Sequence, residues 1–598
     1  MSNTKVKYDA STKIPAAVAM MKVIEAWGVN NIYGYPGGSF SSTMHALDVE
    51  KDNINFVHIR HEQVGALAAS AEAKLTGKLG VAFGSAGPGA VNLLDGLYDA
   101  REDHAPVLAL VGQVPSTKMN YDFFQEFNEA PIFDDVSVYN RTVMNAESLP
   151  YVVDKAIRMA YKHQGVAVVV IPVDFGWEEI DDIPYESATS YHPADQAKLL
   201  PQPTTDEINT ALAMIKAAKA PVFHVGRGAF GASEELMKVS EKLQIPIITT
   251  ALAKGIIPDS YVGNLGLVNR AGSISANEAL NNADLVIAIG NDFPFAENVY
   301  TSHPFQFIQV DIDSSVIGAH HHVDLGIEAD GPSFIKALLE QSEEAPKSKI
   351  YEAELAQNKD WRAYLKKLMD KETNPIEYEQ VYKQIARIAE DDAVFGIDVG
   401  DNVVNTVRFL DVKPQQKWTT SALFATMGYG VPAAIAGKLA FPERQVFNIA
   451  GDGAFSMVMQ DLLTETLHEL PIINIITSNK TLSFIKNSQA DLPMNPSGVD
   501  ILDADYAKIA EGMGVVGISV HTFAELAPAF DKAVATTKEG RPVLLDIKIR
   551  DKRGFPVEAM DMDPEKTSQA SVDAFKEKYD AMELKPLKDY FAEYGVEL

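Results

Sequence analysis

Residues 444–481 constrain this chain more than any other stretch, because they can be laid out only as strand, turn, helix and strand. The run Gln445-Val446-Phe447-Asn448-Ile449-Ala450 has the β-branched and aromatic content of a buried strand. Gly451-Asp452-Gly453 follows, a turn with bare backbone and one outward carboxylate. A helical stretch comes next, with Met457, Met459, Leu462, Leu463 and Leu467 apolar and Asp461, Glu465 and His468 between them. A second apolar run, Ile472-Ile473-Asn474-Ile475-Ile476, ends at Ser478-Asn479-Lys480-Thr481. Parallel strands deliver their ends to one sheet edge, so Asp452 and Asn479, 27 positions apart, are expected as neighbours. A hard cation such as Mg²⁺ takes oxygen ligands and sits between carboxylates and phosphates. Diphosphate oxygens would complete its sphere, helped by backbone N–H groups where Gly453 opens the helix. The same pattern also fits an ordinary βαβ unit whose Gly-Asp turn caps its helix.

At 598 residues the chain exceeds what one hydrophobic core organises and predicts about three to four domains. The 52 basic residues face 82 acidic ones, and the net charge of −30 argues against nucleic acid or an anionic membrane as partner. Anionic substrates stay open, since a local pocket can be positive on an acidic protein. With no cysteine, disulfides, thiolate metal sites and thiol nucleophiles are out. That absence fits a protein that meets peroxide, and equally a proteome poor in cysteine. The polar first ten residues lack a signal-peptide core, and the apolar run at 166–173 falls far short of the roughly 20 residues of a membrane span. A soluble, cytoplasmic protein is expected.

Apolar runs alternate with helical stretches in three blocks, 1–188, 206–345 and 375–550. A polar linker at 189–205 and a charged helical connector at 346–374 separate them, and a charged tail fills 551–598. The alternation predicts an α/β fold of parallel sheets flanked by helices on both faces. After the run 221–225 comes a literal G-x-G-x-x-G, Gly226-Arg227-Gly228-Ala229-Phe230-Gly231. A dinucleotide fingerprint of that kind places an acid about 20 residues on, at a strand end. Here the next run ends Thr249-Thr250-Ala251-Leu252, without one. Glu62 follows the run 56–59 as Arg60-His61-Glu62-Gln63 and can be a first-turn acid favoured by the helix dipole.

Gly-Asp-Gly followed at this interval by Asn resembles the diphosphate signature of thiamine-diphosphate enzymes. His61-Glu62-Gln63-Val64-Gly65-Ala66 resembles that family's activating-glutamate motif, and Gly34-Tyr35-Pro36-Gly37-Gly38-Ser39 and Gly84-Ser85-Ala86-Gly87-Pro88-Gly89 resemble its pyrimidine-domain loops. The resemblance implies a pyrimidine domain (1–188), a central domain (206–345) and a diphosphate domain (375–550). It makes Asp452, Asn479 and the Thr481 carbonyl the metal ligands, with Ser478 where the family usually has Asn. Glu62 would bond the cofactor's pyrimidine and favour the imino tautomer that acts as base. Gly37, Ser85, Gly400, Thr426, Met427, Gly451, Gly453 and Ala454 would contact thiamine diphosphate, with Met427, in the segment 421–428, as the wedge between its rings.

Within the family, the FAD-containing, phosphate-dependent pyruvate oxidases of lactic-acid bacteria are the nearest match, on segments such as 120–128, 291–297 and 441–445. FAD would then lie across the strand ends at Gly226, Arg227, Gly228, Thr250, Lys254, Asn269, Arg270, Asn291, Asp292, Asp311, Ile312 and Asp330. Phe124, Gln125, Phe484 and Ile485 would line the substrate pocket, and Asn487-Ser488-Gln489 stands where relatives carry acidic residues. The implied reaction takes pyruvate, phosphate and oxygen to acetyl phosphate, carbon dioxide and hydrogen peroxide through an enamine and the flavin. An acetolactate synthase shares both cofactors and is the alternative, with a quinone-linked pyruvate dehydrogenase behind it. The family's cofactor lies between two chains, so a homodimer is the minimum and a homotetramer is expected, with neither nucleic acid nor membrane as partner.

Overall fold

The computed structural model describes residues 7–184, 200–553 and 573, apart from 270, 292, 296–298, 301–303, 491 and 493. Arg270, Asp292, most of the linker and nearly all of the tail therefore lie outside the described residues. The N-terminal part carries β1 (Lys13–Pro15), β2 (Asn31–Gly34), β3 (Asn55–His58), β4 (Gly80–Gly84), β5 (Val107–Gln113), β6 (Ser137–Thr142), β7 (Val166–Pro172) and β8 (Glu179–Asp181). Six of them form a parallel sheet in the order β3-β2-β4-β5-β7-β6, while β1 and β8 pair as an antiparallel ribbon. The middle part carries β9 (Pro221–Val225), β10 (Ile247–Thr249), β11 (Asn264–Leu267), β12 (Leu285–Ile289), β13 (Gln306–Asp311) and β14 (Leu325–Glu328), ordered β11-β10-β9-β12-β13-β14. The last part carries β15 (Val394–Ile397), β16 (Lys417–Thr419), β17 (Val446–Gly451), β18 (Ile472–Ser478), β19 (Val516–Val520) and β20 (Val543–Lys548), ordered β16-β15-β17-β18-β20-β19.

All three sheets are parallel and flanked by helices, as the alternation predicted. Each reverses its strand order inside the sheet, between β2 and β4, between β9 and β12, and between β15 and β17, and the first and last reverse again at the edge pairs β7-β6 and β20-β19. Open parallel sheets bind ligands in the crevice outside the strand ends at such a reversal. Among the described residues no helix is long and apolar enough to cross a membrane.

The first and last parts share one core. The helix Glu62–Thr76 is rich in alanine and buried along most of its length, as is the helix Gly430–Ala440. Small side chains let their backbones approach closely, and Val64, Leu67, Leu75, Val431 and Ile435 fall in a single apolar cluster with Phe455 and Leu462. Two polar ties cross the same boundary. Lys74 pairs with Asp99 (2.7 Å) and Asp103, donates to the Thr420 carbonyl (3.2 Å) and lies 4.4 Å from the Tyr429 ring centroid. Burial alone would lower the Lys74 pKa, but Asp103 and Asp99 outweigh it and hold the ammonium protonated. Asp103 also accepts the N–H groups of Ala422 (3.3 Å) and Leu423 (3.2 Å). Elsewhere, Asp461 accepts the Arg60 N–H at 2.9 Å and the Thr464 hydroxyl at 2.8 Å.

The stretch expected to be helical after Gly453 departs from a single regular helix in two ways. It is broken into a helix Asp452–Val458, a 3₁₀ turn Met459–Asp461 and a helix Leu462–Leu467. Its buried side also carries polar groups: Asp461, Thr464 and Glu465 are fully buried beside Leu462 and Val458, while Met457, Leu463 and Leu467 are 50%, 41% and 57% exposed. The inward polar groups have partners there. Asn448 donates to Asn474 (2.8 Å), Asn474 donates to Glu465 (2.8 Å), and burial lifts the Glu465 pKa well above the ordinary carboxylate range.

Replacing Lys74 by Met strands two buried carboxylates, so Lys74→Met is expected to lower the unfolding free energy by about 3–5 kcal/mol; a denaturant titration showing under ~1 kcal/mol would remove Lys74 from this role. Burial raises the Asp461 pKa to about 6, against the opposing hydrogen bonds from Arg60 and Thr464. The unfolded Asp titrates near about 3.9, so the folded protein binds the extra proton between roughly pH 4 and 6. The stability of the wild type relative to Asp461→Asn should therefore fall as pH rises through that window and level off above it. Parallel stability curves for the two proteins would contradict the burial argument.

Candidate active site

The reversal point of the first sheet gathers the loops after β2 and β4. A Cβ on Gly37 would lie 2.4 Å from the Ser85 Cβ, and one on Gly89 would lie 2.8 Å from Ser85 Oγ and 3.0 Å from Glu62 Oε1. Glycine at these positions is what lets the two loops and Glu62 converge. Glu62 opens its helix, is buried and accepts the Asn92 side-chain N–H at 3.0 Å; His61 before it is the N-cap, accepting the Gln63 N–H at 3.3 Å. The Ser39 hydroxyl accepts the Ala86 N–H at 2.7 Å and ties the loops together.

Gln125 joins this edge: a Cβ on Gly87 would meet the Gln125 carbonyl at 3.1 Å. Gln125 itself has φ +63°, and Asn120 (+69°) and Asp122 (+61°) are also left-handed. The Glu126 carboxylate holds this coil by accepting the N–H groups of Asn120 and of Phe123 (3.0 Å). Phe124 points away from the core and is 79% exposed.

The last sheet supplies a second cluster at its own reversal. Pairing of Gly451 with Thr477 puts the ends of β17 and β18 side by side. Asp452, buried, accepts its neighbour Gly453 N–H at 2.9 Å on one oxygen and the Lys480 N–H at 2.8 Å on the other. Burial raises the Asp452 pKa, and the N–H groups of Lys480, Gly453 and Asn479 oppose the shift. Asn479 accepts the Thr481 N–H at 3.2 Å and donates to Ser483 at 2.6 Å, while the Thr481 hydroxyl donates to the Val499 carbonyl at 3.1 Å. Among the described residues no group of three or more His, Cys, Asp or Glu side chains is placed to hold a metal. The set implied by the resemblance would instead offer one carboxylate (Asp452), one amide (Asn479) and the Thr481 main-chain carbonyl. All are hard oxygens, so they fit Mg²⁺ once further oxygens such as those of a diphosphate complete the shell. Beside them, Gly400 has φ +114° and open space where a side chain would stand, and Ala454 is small and buried.

Met427 reaches the same place, its Cε 3.6 Å from where a Cβ on Gly453 would stand. Its loop is unusual in backbone, with Ala425 at φ +56° and Gly428 at +90°. Asp398, fully buried, anchors it by accepting the N–H groups of Gly428 and Gly430, both at 2.9 Å. Thr426 is tied to the first part through Asp95 (3.0 Å), which also accepts from Gln63 at 2.8 Å. Phe484 is half-buried and Ile485 is exposed on the helix Ser483–Ala490 that follows Thr481. Asn92, Asp95, Asp398 and Ser483 escaped the sequence reading, since their partners lie in other elements and no local pattern marks them.

In the middle sheet, the glycines of the G-x-G-x-x-G serve backbone contact. A Cβ on Gly226 would fall 2.0 Å from the Gly290 carbonyl oxygen, and one on Gly228 would fall 2.6 Å from the Gly290 Cα. Residues 227–229 form a 3₁₀ turn rather than opening a long helix. Asp330 caps the helix Gly331–Gln341, Asp311 accepts the Asp313 N–H at 3.0 Å, Ile312 is exposed, and Asn291 is buried. Thr250 donates its N–H to the Val225 carbonyl (3.0 Å), and Asn269, with φ +74°, donates its N–H to the Asn277 side chain at 2.8 Å. Two basic residues face other parts of the chain. Arg227 donates to the His104 carbonyl at 2.7 Å, and Lys254 pairs with Asp259 at 2.7 Å while also reaching the Val407 carbonyl at 3.4 Å. The strand ends at Gly226, Thr250, Asn291, Asp311 and Asp330 thus share one edge of the sheet, the edge at which open parallel sheets bind ligands.

Comparison with known proteins matches three family models along the chain: the thiamine pyrophosphate enzyme N-terminal TPP binding domain at residues 15–132, the central domain at 208–338 and the C-terminal TPP binding domain at 398–547. A pyruvate oxidase of Lactiplantibacillus plantarum is 46% identical over 99% of this chain and 98% of its own length. A putative thiamine pyrophosphate-containing protein, YdaP, of Bacillus subtilis is 38% identical over 90% of this chain and 92% of its own. A probable acetolactate synthase large subunit of Methanocaldococcus jannaschii is 31% identical over 92% and 93%. With three such sheets in family order and relatives aligned nearly end to end, the chain belongs to the thiamine pyrophosphate (thiamine diphosphate) enzyme family.

Proposed function

We propose that this chain is a pyruvate oxidase using thiamine diphosphate, Mg²⁺ and FAD. The observation that carries the reading is 46% identity to a pyruvate oxidase along 99% of the chain, against 31% to an acetolactate synthase along 92%. The reaction takes one pyruvate anion, one hydrogen phosphate dianion, one oxygen molecule and one proton to acetyl phosphate, carbon dioxide and hydrogen peroxide. When bound, thiamine diphosphate supplies an electron sink for the pair freed as carbon dioxide departs, and FAD relays two electrons to oxygen.

The protein's own groups then have definite tasks. Asp452, Asn479 and the Thr481 carbonyl hold Mg²⁺, and Gly400, Gly451, Gly453 and Ala454 leave room for the diphosphate. Glu62 holds a proton between its carboxyl and the pyrimidine ring, with Gly37 and Ser85 beside it and Asn92 fixing the carboxyl. Met427, anchored through Asp398 and Thr426, bends the cofactor. Phe124, Gln125, Phe484 and Ile485 would line the pyruvate pocket. The flavin takes the middle-sheet edge from Gly226 to Asp330. The exposed apolar residues Met457, Leu463 and Leu467 support burial against a second copy, hence a homodimer at least and a homotetramer by family analogy. A cytoplasmic location belongs to the same reading.

An oxygen electrode tests it directly: pyruvate with phosphate should drive oxygen uptake and matching peroxide and acetyl phosphate, with far less uptake when phosphate is omitted. Acetolactate formed from pyruvate alone, without peroxide, would instead establish the synthase alternative. Glu62→Gln is expected to lower turnover by about 10²–10⁴-fold while flavin content stays at the wild-type level. Full oxygen uptake by that variant would rule out the role given to Glu62.

A further inference from the structure

Asn479 is the one proposed metal ligand whose donor atom is not settled by charge or backbone. A carboxamide can turn either oxygen or nitrogen toward a cation, and only the oxygen is a ligand for Mg²⁺. What decides between them is the bonding of the nitrogen. Asn479 Nδ2 donates to the Ser483 hydroxyl at 2.6 Å. Ser483 is the first residue of the helix Ser483–Ala490 and is buried, and its hydroxyl lies 3.2 Å from Asp551 Oδ1. The other Asp551 oxygen pairs with Lys486, one turn further along that helix.

The direction of this chain follows from the chemistry of its members. An ionised carboxylate only accepts, so the single Ser483 proton goes to Asp551. Ser483 can then meet Asn479 only as an acceptor, and it requires an N–H from it. The Asn479 oxygen is left with one lone pair for the Thr481 N–H (3.2 Å) and a second free for a ligand. Asp551 stands just beyond β20 (Val543–Lys548), so the anchor belongs to the sheet rather than to the helix it steadies.

We propose that Ser483, held by Asp551 and Lys486, is a positioning residue that turns the Asn479 oxygen toward the cation and thereby sets cation affinity. This rests on the reading of Asp452, Asn479 and Thr481 as cation ligands. It also places the metal's outer contacts on the helix that carries Phe484 and Ile485.

Mn²⁺ titration of the full-length protein with thiamine diphosphate present, read by the electron-paramagnetic signal of free Mn²⁺, tests the assignment. Loss of an outer-shell partner typically weakens metal binding about 10–100-fold, and that is the expected rise in Kd for Ser483→Ala. Ser483→Thr, which keeps the hydroxyl, should stay within about threefold of the wild type, and Asp551→Ala should weaken binding in the same direction as Ser483→Ala. A merely structural role would not produce the rescue by Thr, nor a loss of cation affinity with an unchanged melting temperature in the absence of cation. Wild-type affinity in both Ser483→Ala and Asp551→Ala overturns the positioning role alone. A wild type that binds no Mn²⁺, or binds it no better than Asp452→Ala, overturns the metal reading and this proposal with it.

Discussion

The register of neighbouring parallel strands is the constraint on which the rest of this molecule depends. Gly451 lies opposite Thr477 across β17 and β18, and that pairing alone sets Asp452 beside Asn479. A slip of one residue would turn every side chain of a strand to the opposite face and dissolve the arrangement. Register is well specified here because β17 and β18 are buried on both faces, with Asn448 bonded to Asn474 across them inside the core. The first and last sheets share one strand order, the middle sheet has another, and all three bring glycine-bearing loops to a reversal point.

The parts are joined by a few buried charges as well as by apolar packing. Lys74 holds the helix that starts at Glu62 against the segment leading to Met427, through Asp103 and the N–H groups of Ala422 and Leu423. Arg227 extends this junction to the middle part by its bond to His104, and Lys254 joins the middle part to the last through Asp259, whose carboxylate also accepts the Val412 N–H at 2.8 Å. Two residues singled out for a flavin thus spend their charged ends on contacts between parts of the chain. Burial makes such contacts selective, since an unpaired charge at these positions is costly.

Much of the fold was legible in the sequence where strands are long, apolar and buried on both faces, as β7, β12 and β18 are. Short or half-polar strands escaped notice: β16 has three residues, and β6 alternates exposed and half-buried positions at a sheet edge. The burial of Asp461 and Glu465 could not be read locally. Their partners Arg60 and Asn474 come from other elements, and the apolar residues Leu463 and Leu467 face outward. At the site, spacing pointed to Asp452 and Asn479, while Glu62 was marked by the resemblance of its segment to the thiamine-diphosphate family's activating-glutamate motif. The residues that hold them, Asn92, Asp398, Ser483 and Asp551, carry no spacing signal, because each acts through a partner chosen by the tertiary fold.

In the proposed reaction, electrons from pyruvate reach a flavin held by the middle sheet. Mixing the flavin-loaded enzyme with pyruvate in the absence of oxygen, while following the flavin's visible absorbance, tests it most directly. Bleaching of the flavin in step with carbon dioxide release is the predicted result. Carbon dioxide release with the flavin left oxidised, or no reaction with pyruvate at all, would contradict the claim.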